Sequence, residues 1–236
     1  MSARFEELAW ADTPMGVISL RRRLDPMLKI QVYEAKLGEE FLMSSLFTVG
    51  ETELAHLALA QVEGEDLDVI VGGLGLGYTA RAVLTDQRVR SLTVVEALAE
   101  VIDWHQRGLI PGADELTADP RTHLVHGDFF ALVDSDGGFD PRTPGGRVDA
   151  ILLDIDHTPR HVLHPRHAPF YTPDGIRRLA RHLRPGGVFA LWSDDPPDDA
   201  FLGVLAEVFR QADAHVVTFA NPLTRGESAN TVYLAR

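Results

Sequence analysis

From Leu67 onward, short apolar runs alternate with segments whose apolar residues recur at helical spacing, and this alternation constrains the fold more than any other feature. Residues 69–71, 92–95, 122–125, 150–153 and 188–192 read as strands, and the uninterrupted apolar runs among them are of the kind buried on both faces. Residues 78–84 and 98–107 read as helices. Another helix opens at Thr172-Pro173, carries Ile176, Leu179, Ala180 and Leu183 on one face, and stops at Pro185-Gly186-Gly187. Phe201, Leu202, Leu205, Val208 and Phe209 line a last helix, followed by strands at 216–219 and 231–234 with the polar stretch 221–230 between them. Parallel strands need crossovers, so the pattern predicts a doubly wound, mostly parallel α/β sheet with ligands at the carboxyl ends of its strands. The closing two strands have no helix between them and must be antiparallel to each other.

The first 48 residues have a different pattern. Residues 16–20 and 28–33 alternate apolar and polar side chains around a Leu24-Asp25-Pro26 turn, and 40–46 offers a further short strand. The expected division is a small antiparallel β appendage over 1–48 and an α/β domain over 49–236. Thr48-Val49-Gly50-Glu51 has the form of a capping box at the start of a helix bearing Leu54, Leu57 and Ala58. The Gly-, Pro- and Asp-rich stretch 134–147 reads as a surface loop.

Composition excludes several functions. With no cysteine, the chain has no disulfide framework, thiolate zinc site or thiol nucleophile, which fits a cytoplasmic protein. Net charge is -13, from 22 basic and 35 acidic residues, so a phosphate backbone is repelled and nucleic acid is not an expected partner. No apolar run is long enough for a bilayer, and the start lacks a basic-then-apolar leader.

Four glycines fall within the six residues 72–77, where the first buried strand turns into a helix. Gly73, Gly75 and Gly77 leave the backbone amides and the positive helix end open to close approach by a ligand. Glu96 closes the next strand, about twenty residues on, where a nucleoside site keeps the acid that accepts from ribose hydroxyls. After the third strand, Asp128 offers an acceptor for an adenine amino group and Phe129 an aromatic face; after the fourth, Asp154 projects into the same crevice. Four strand ends, each carrying a suitable group, point to adenosine.

The run 69–96, followed by "HGDFF", "DAILLDID" and "FYTPDGIRRLARHLRPGG" and preceded by a small β appendage, resembles the spermidine synthase family over nearly the whole chain. The likeness implies a class I methyltransferase-type sheet with an antiparallel last strand. It also implies aminopropyl transfer from decarboxylated S-adenosylmethionine to a small amine, and a homodimer. It assigns Gly73, Gly75, Gly77, Glu96 and Asp128 to the nucleoside and sets Asp154 beside the sulfonium and the nucleophile. The family loop reads G-G-G-D-G-G, and its aspartate is Gly75 here. The family's D-E-x-x-Y-H-E becomes Glu39-Glu40-Phe41-Leu42-Met43-Ser44-Ser45, and D-S-S-D-P becomes Asp154-Ile155-Asp156-His157-Thr158-Pro159.

Alkyl transfer from a sulfonium asks the protein to align a nucleophile and take its proton. Asp154 and Asp156 are the expected catalytic pair, with a turn cap as the alternative role for Asp156. His157 and Tyr171 are expected on the acceptor side, with packing at a helix start as the alternative for Tyr171. His157, His161, His164 and His167 fall within eleven residues, but Pro159, Pro165 and Pro169 prevent them from sharing a helix face and Arg160 and Arg166 oppose a cation, so no metal is expected. The donor is S-adenosylmethionine or its decarboxylated form; loss of the aspartate at Gly75 favours methyl transfer, and the whole-chain likeness favours aminopropyl transfer. Two alternatives stay open: an NAD-dependent oxidoreductase, since Gly75-x-Gly77-x-x-Ala80 also fits the dinucleotide fingerprint, and a non-catalytic nucleoside-binding paralogue.

Overall fold

The computed structural model describes residues 5–236. Its first strands, β1 (Phe5–Thr13), β2 (Gly16–Leu24), β3 (Gln31–Leu37) and β4 (Glu40–Ser44), form a four-stranded antiparallel sheet in sequential order. β1 escapes the sequence reading because its charged residues blur the alternation; pairing with β2 stabilises it. β3 starts at Gln31 because Asp25 Oδ1 accepts from the amides of Met27 (3.0 Å) and Leu28 (2.9 Å), holding the preceding residues in a loop. The basic triplet is absorbed across strands: Arg21 and Arg23 both pair with Glu34, and Arg22 pairs with Glu6.

Next come α1 (Val49–Ala60), β5 (Leu67–Gly72), α2 (Tyr78–Leu84), β6 (Val89–Glu96), α3 (Ala99–Gln106), α4 (Ala113–Ala118), β7 (Thr122–His126) and α5 (Phe129–Asp134). They are followed by β8 (Val148–Leu153), a 3₁₀ segment (Pro165–Tyr171), α6 (Pro173–Ala180), β9 (Leu183–Ser193), α7 (Asp199–Ala206), β10 (Ala212–Asn221) and β11 (Gly226–Ala235). The seven-stranded sheet has the order β10-β11-β9-β8-β5-β6-β7. Strands β7, β6, β5, β8 and β9 are parallel, and β11 is antiparallel to both β9 and β10. This is the expected mostly parallel sheet with a reversed last strand.

Helices cover both faces. Leu54, Val83, Val101 and Leu116 belong to one buried cluster, Val133, Ile176, Leu179 and Leu205 to the other. Ile18, Leu20 and Ala35 of the small sheet join the first cluster, so apolar burial holds that sheet against the α/β core.

Two local expectations are corrected. Thr48 is the N-cap of α1 but its hydroxyl makes no capping bond; Thr52 Oγ1 donates to the Thr48 carbonyl (2.8 Å), and the Glu51 carboxylate closes no capping box. Helix α6 ends at Ala180, and Pro185-Gly186-Gly187 lies inside β9, where the register with β8 slips between Val148 and Ala150.

Candidate active site

A cavity of about 530 Å³ lies at the carboxyl ends of β5, β6, β7, β8 and β9, with Ala35, Leu37, Leu42 and Met43 of the small sheet forming the opposite wall. Its size falls within the range of small-molecule sites. All five strand ends contribute: Gly73 after β5, Glu96 on β6, Asp128 after β7, Asp154 after β8 and Trp192 on β9.

The glycine turn is shaped by close approach. Gly73 has φ +95°, and a Cβ there would sit 2.1 Å from the backbone oxygen of Asp154, so a side chain is excluded twice over. At Gly75 (φ +46°) a Cβ would meet Met43 Cε at 2.2 Å, and Met43 Sδ accepts from the amide of Leu76 at 2.9 Å. A thioether from β4 thus packs where the family loop carries its aspartate. Gly77 opens α2 in the left-handed region, close against the His105 ring.

Glu96 braces this turn: Oε2 accepts from the amide of Leu74 (3.0 Å) and Oε1 from that of Leu98 (2.9 Å). Burial raises its carboxyl above the ordinary range, while the surrounding amides pull the other way. The Glu96 side chain lines the cavity beside the turn it braces. Asp128 is the N-cap of α5, its Oδ1 accepting from Phe130 (2.9 Å) and Ala131 (3.3 Å).

Phe129, expected as the aromatic face, and its neighbour Phe130 both line the cavity. Phe129 is only 2% exposed and stacks on Phe139 with centroids 5.0 Å apart, because the absence of a side chain at Gly72 lets its ring pack onto β5. Phe130 is the half-buried ring on the cavity, stacked on His167 at 4.0 Å.

Asp154 accepts from Thr79 Oγ1 at 2.6 Å, and burial lifts its pKa to about 6. Thr79 Oγ1 also lies 3.3 Å from the Glu51 carbonyl, tying the starts of α1 and α2 to the end of β8. Glu51, absorbed into a capping box by sequence reasoning, lines the cavity; burial first and the Asp154 charge second push it up to about 8. Burial thus holds both carboxyls above their ordinary range, and the Asp154 charge opposes ionisation of Glu51. Only the unused capping bond marks Glu51 out, which the sequence cannot show.

The loop after β8 sorts the other candidates. Asp156 is 3% exposed and fully engaged: Oδ1 accepts from the Leu163 amide (2.7 Å) and faces His167 Nδ1 (2.8 Å), and Oδ2 accepts from the Tyr171 hydroxyl (2.8 Å). It is absent from the cavity lining and organises the loop, as is Tyr171, whose hydroxyl burial and the Asp156 charge push well above its ordinary pKa. The structure therefore sets these two expected site residues in the loop's own network, outside the cavity lining, where the loop's buried polar groups satisfy one another. His157 does line the cavity, with Nε2 3.1 Å from Glu40 Oε1 on β4. His164 Nδ1 accepts from the Arg166 amide (3.1 Å), so the histidine run is divided among separate contacts.

A parallel sheet with a reversed final strand, a bare glycine turn after β5 and acids at the ends of β6 and β8 defines the class I methyltransferase-type fold. No family model matches the chain. Over 182 residues it is 29% identical to polyamine aminopropyltransferase 2 of Pseudomonas aeruginosa, covering 71% of this chain and 48% of that protein. It is 28% identical to a polyamine aminopropyltransferase of Prochlorococcus marinus over 206 residues, covering 84% of this chain and 66% of the relative. The chain thus spans about half the length of the first relative and just under two thirds of the second. Among solved structures, spermidine synthase from Thermotoga maritima superposes with a TM-score of 0.70 at 16% identity, over 97% of this chain and 71% of that one. A spermidine synthase in complex with the transition state analogue AdoDATO gives 0.73 at 18% identity, over 97% and 73%. The chain is thus similar in sequence to polyamine aminopropyltransferases and in fold to spermidine synthases.

Proposed function

We propose that this cavity binds S-adenosylmethionine or its decarboxylated form and that the protein transfers an alkyl group from the sulfonium to a small amine. The observation carrying the reading is that Glu96 and the glycine turn it braces line the same cavity as Asp154. Glu96 receives the ribose hydroxyls, Asp128 and Phe130 the adenine, and Gly73 lets the thioether side of the nucleoside lie against bare backbone. The relatives' names and the whole-chain superposition support aminopropyl transfer.

The donor carries its own leaving group, so the protein's work is alignment and proton removal. Asp154, held by Thr79, orients the acceptor nitrogen for in-line attack on the carbon bonded to sulfur. Apolar walls from β2, β3 and β4 exclude water. Methyl transfer is a second reading, favoured by one observation: Met43 packs against Gly75 where an aspartate would otherwise hold a donor-tail ammonium.

Calorimetry with S-adenosylmethionine, its decarboxylated analogue and NAD tests the proposal. Binding of either sulfonium is the expected result, and the preferred one identifies the transferred group. Binding of NAD alone would overturn the proposal.

A further inference from the structure

The strand ends read as a sequence across the cavity. From β7 to β9 they carry Asp128, Glu96, the glycine turn, Asp154 and Trp192, so the nucleoside groups lie on one side of Asp154 and Trp192 on the other. Helix α1 packs over β8, β9 and β11, which sets Glu51, in its first turn, on the Trp192 side. A Cβ at neighbouring Gly50 would lie 2.6 Å from Trp192 Nε1. Two polar groups at this end lack partners among the described residues. The Glu51 carboxylate accepts no hydrogen bond from another residue, and the buried indole N–H of Trp192 has no acceptor. Buried polar groups such as the Trp192 indole N–H are ordinarily satisfied, and the Glu51 carboxylate opens on the same cavity, so this end is built for something further.

We propose that Glu51 is the acceptor-side carboxylate and catalytic base of the transfer, flanking the nucleophilic nitrogen together with Asp154. The inference rests on the sulfonium-transferase reading and adds the residue that handles the acceptor. An alkylammonium entering between the two carboxylates displaces the proton held by Glu51, which leaves to solvent. One N–H proton of the ammonium then passes to Glu51 and frees the nitrogen lone pair. That pair forms the new C–N bond as the C–S bond breaks, and the bonding electrons leave with sulfur as a neutral thioether. The new secondary ammonium departs, and Glu51 holds the proton taken from the acceptor in place of the one released to solvent. The groups facing Glu51 are Asp154 after β8, Asp194 after β9 and Tyr78 on α2. His157 lines the same cavity. No Lys or Arg is among the groups facing Glu51 itself; Arg166, with His164 and His167 of the loop after β8, lines another part of the same cavity.

The test uses Glu51→Gln and Glu51→Asp in the full chain, with decarboxylated S-adenosylmethionine as donor and 1,4-diaminobutane as the acceptor probe. Calorimetry first compares donor binding, expected to be the same in parent and variants. Steady-state rates are then followed across pH. Glu51→Gln is expected to lower kcat/KM for the diamine ~100-fold or more and to remove the ionisation of this group from its pH profile, with Glu51→Asp recovering part of the rate. In parallel, diamine binding to the donor-loaded parent at pH 7 is measured in buffers of differing ionisation enthalpy, and proton release is expected that Glu51→Gln abolishes. Unaltered kcat/KM and pH profile in Glu51→Gln, or diamine binding without proton release in the parent, would overturn the assignment even if the donor binds. Failure of the parent to bind any sulfonium removes the underlying reading instead, and with it this one.

Discussion

Replacing Asp156 separates a structural carboxylate from a catalytic one. Its two oxygens serve three groups: the Leu163 amide, His167 Nδ1 and the Tyr171 hydroxyl, all at 2.7–2.8 Å and all on one loop. Asp156→Ala strands these groups in a place where Tyr171 and His167 are themselves buried. At about 1–3 kcal/mol for each polar group left unsatisfied, and with some relief as the loop opens to water, a loss of about 3 kcal/mol is expected. For a chain of this length that lowers Tm by about 6–12 °C. Asp156→Asn should cost less. Its amide oxygen can keep both partners of Oδ1, and its NH₂ can face Tyr171, whose hydroxyl then turns from donor to acceptor. A loss of about 1–2 kcal/mol is expected there, since neutral hydrogen bonds replace charge-assisted ones. The assay is urea unfolding by circular dichroism alongside donor calorimetry. Asp156→Asn should retain donor binding and a measurable rate. Full stability in Asp156→Ala would refute the reasoning, as would complete loss of turnover in a folded, donor-binding Asp156→Asn.

Asp154→Asn is expected to spare donor binding while removing turnover, measured by calorimetry and product formation, because Thr79 can still hold the side chain but the acceptor loses its anion. Gly75→Ala should destabilise by about 1 kcal/mol or more, from the left-handed backbone and the contact with Met43, and combination with Met43→Ala should recover the steric part in thermal melts. Stability without ligand should fall as pH rises. Glu51 binds its proton up to about 8 in the folded chain against an ordinary 4.5, and Asp154 up to about 6 against 3.8, so between those values the folded state holds more protons than the unfolded. Glu51→Gln should flatten that decline in urea titrations, and an unchanged slope would remove Glu51 as its source.

The α/β sheet was legible because its strands are buried on both faces and announce themselves as apolar runs: residues 69–71 and 150–153 fall inside β5 and β8. Likewise Thr172-Pro173 opens α6 as expected, with Thr172 Oγ1 accepting from the Gly175 amide. Short or tertiary-dependent elements were not legible. Strand β1 needs β2 beside it, and α4 and α5 are single short turns whose helicity depends on packing. Within the site, glycines and strand-end acids can be read from spacing alone, because position along a parallel sheet determines where they project. The roles of Asp156, Glu51 and Met43 depend on partners distant in sequence or on how a loop folds back, and neither period nor motif records such contacts.

The wall formed by the small sheet has a further consequence. Met43 reaches the glycine turn and Glu40 meets His157, so both contacts from β4 fall on one rim of the crevice, whereas Glu96 and Asp128 take their bearings wholly from the larger sheet. On the proposed function, grip on the nucleoside and choice of the acceptor would be written in separate stretches of polypeptide. Grafting residues 5–44 from a relative should retune what enters the mouth while leaving the nucleoside berth as it was.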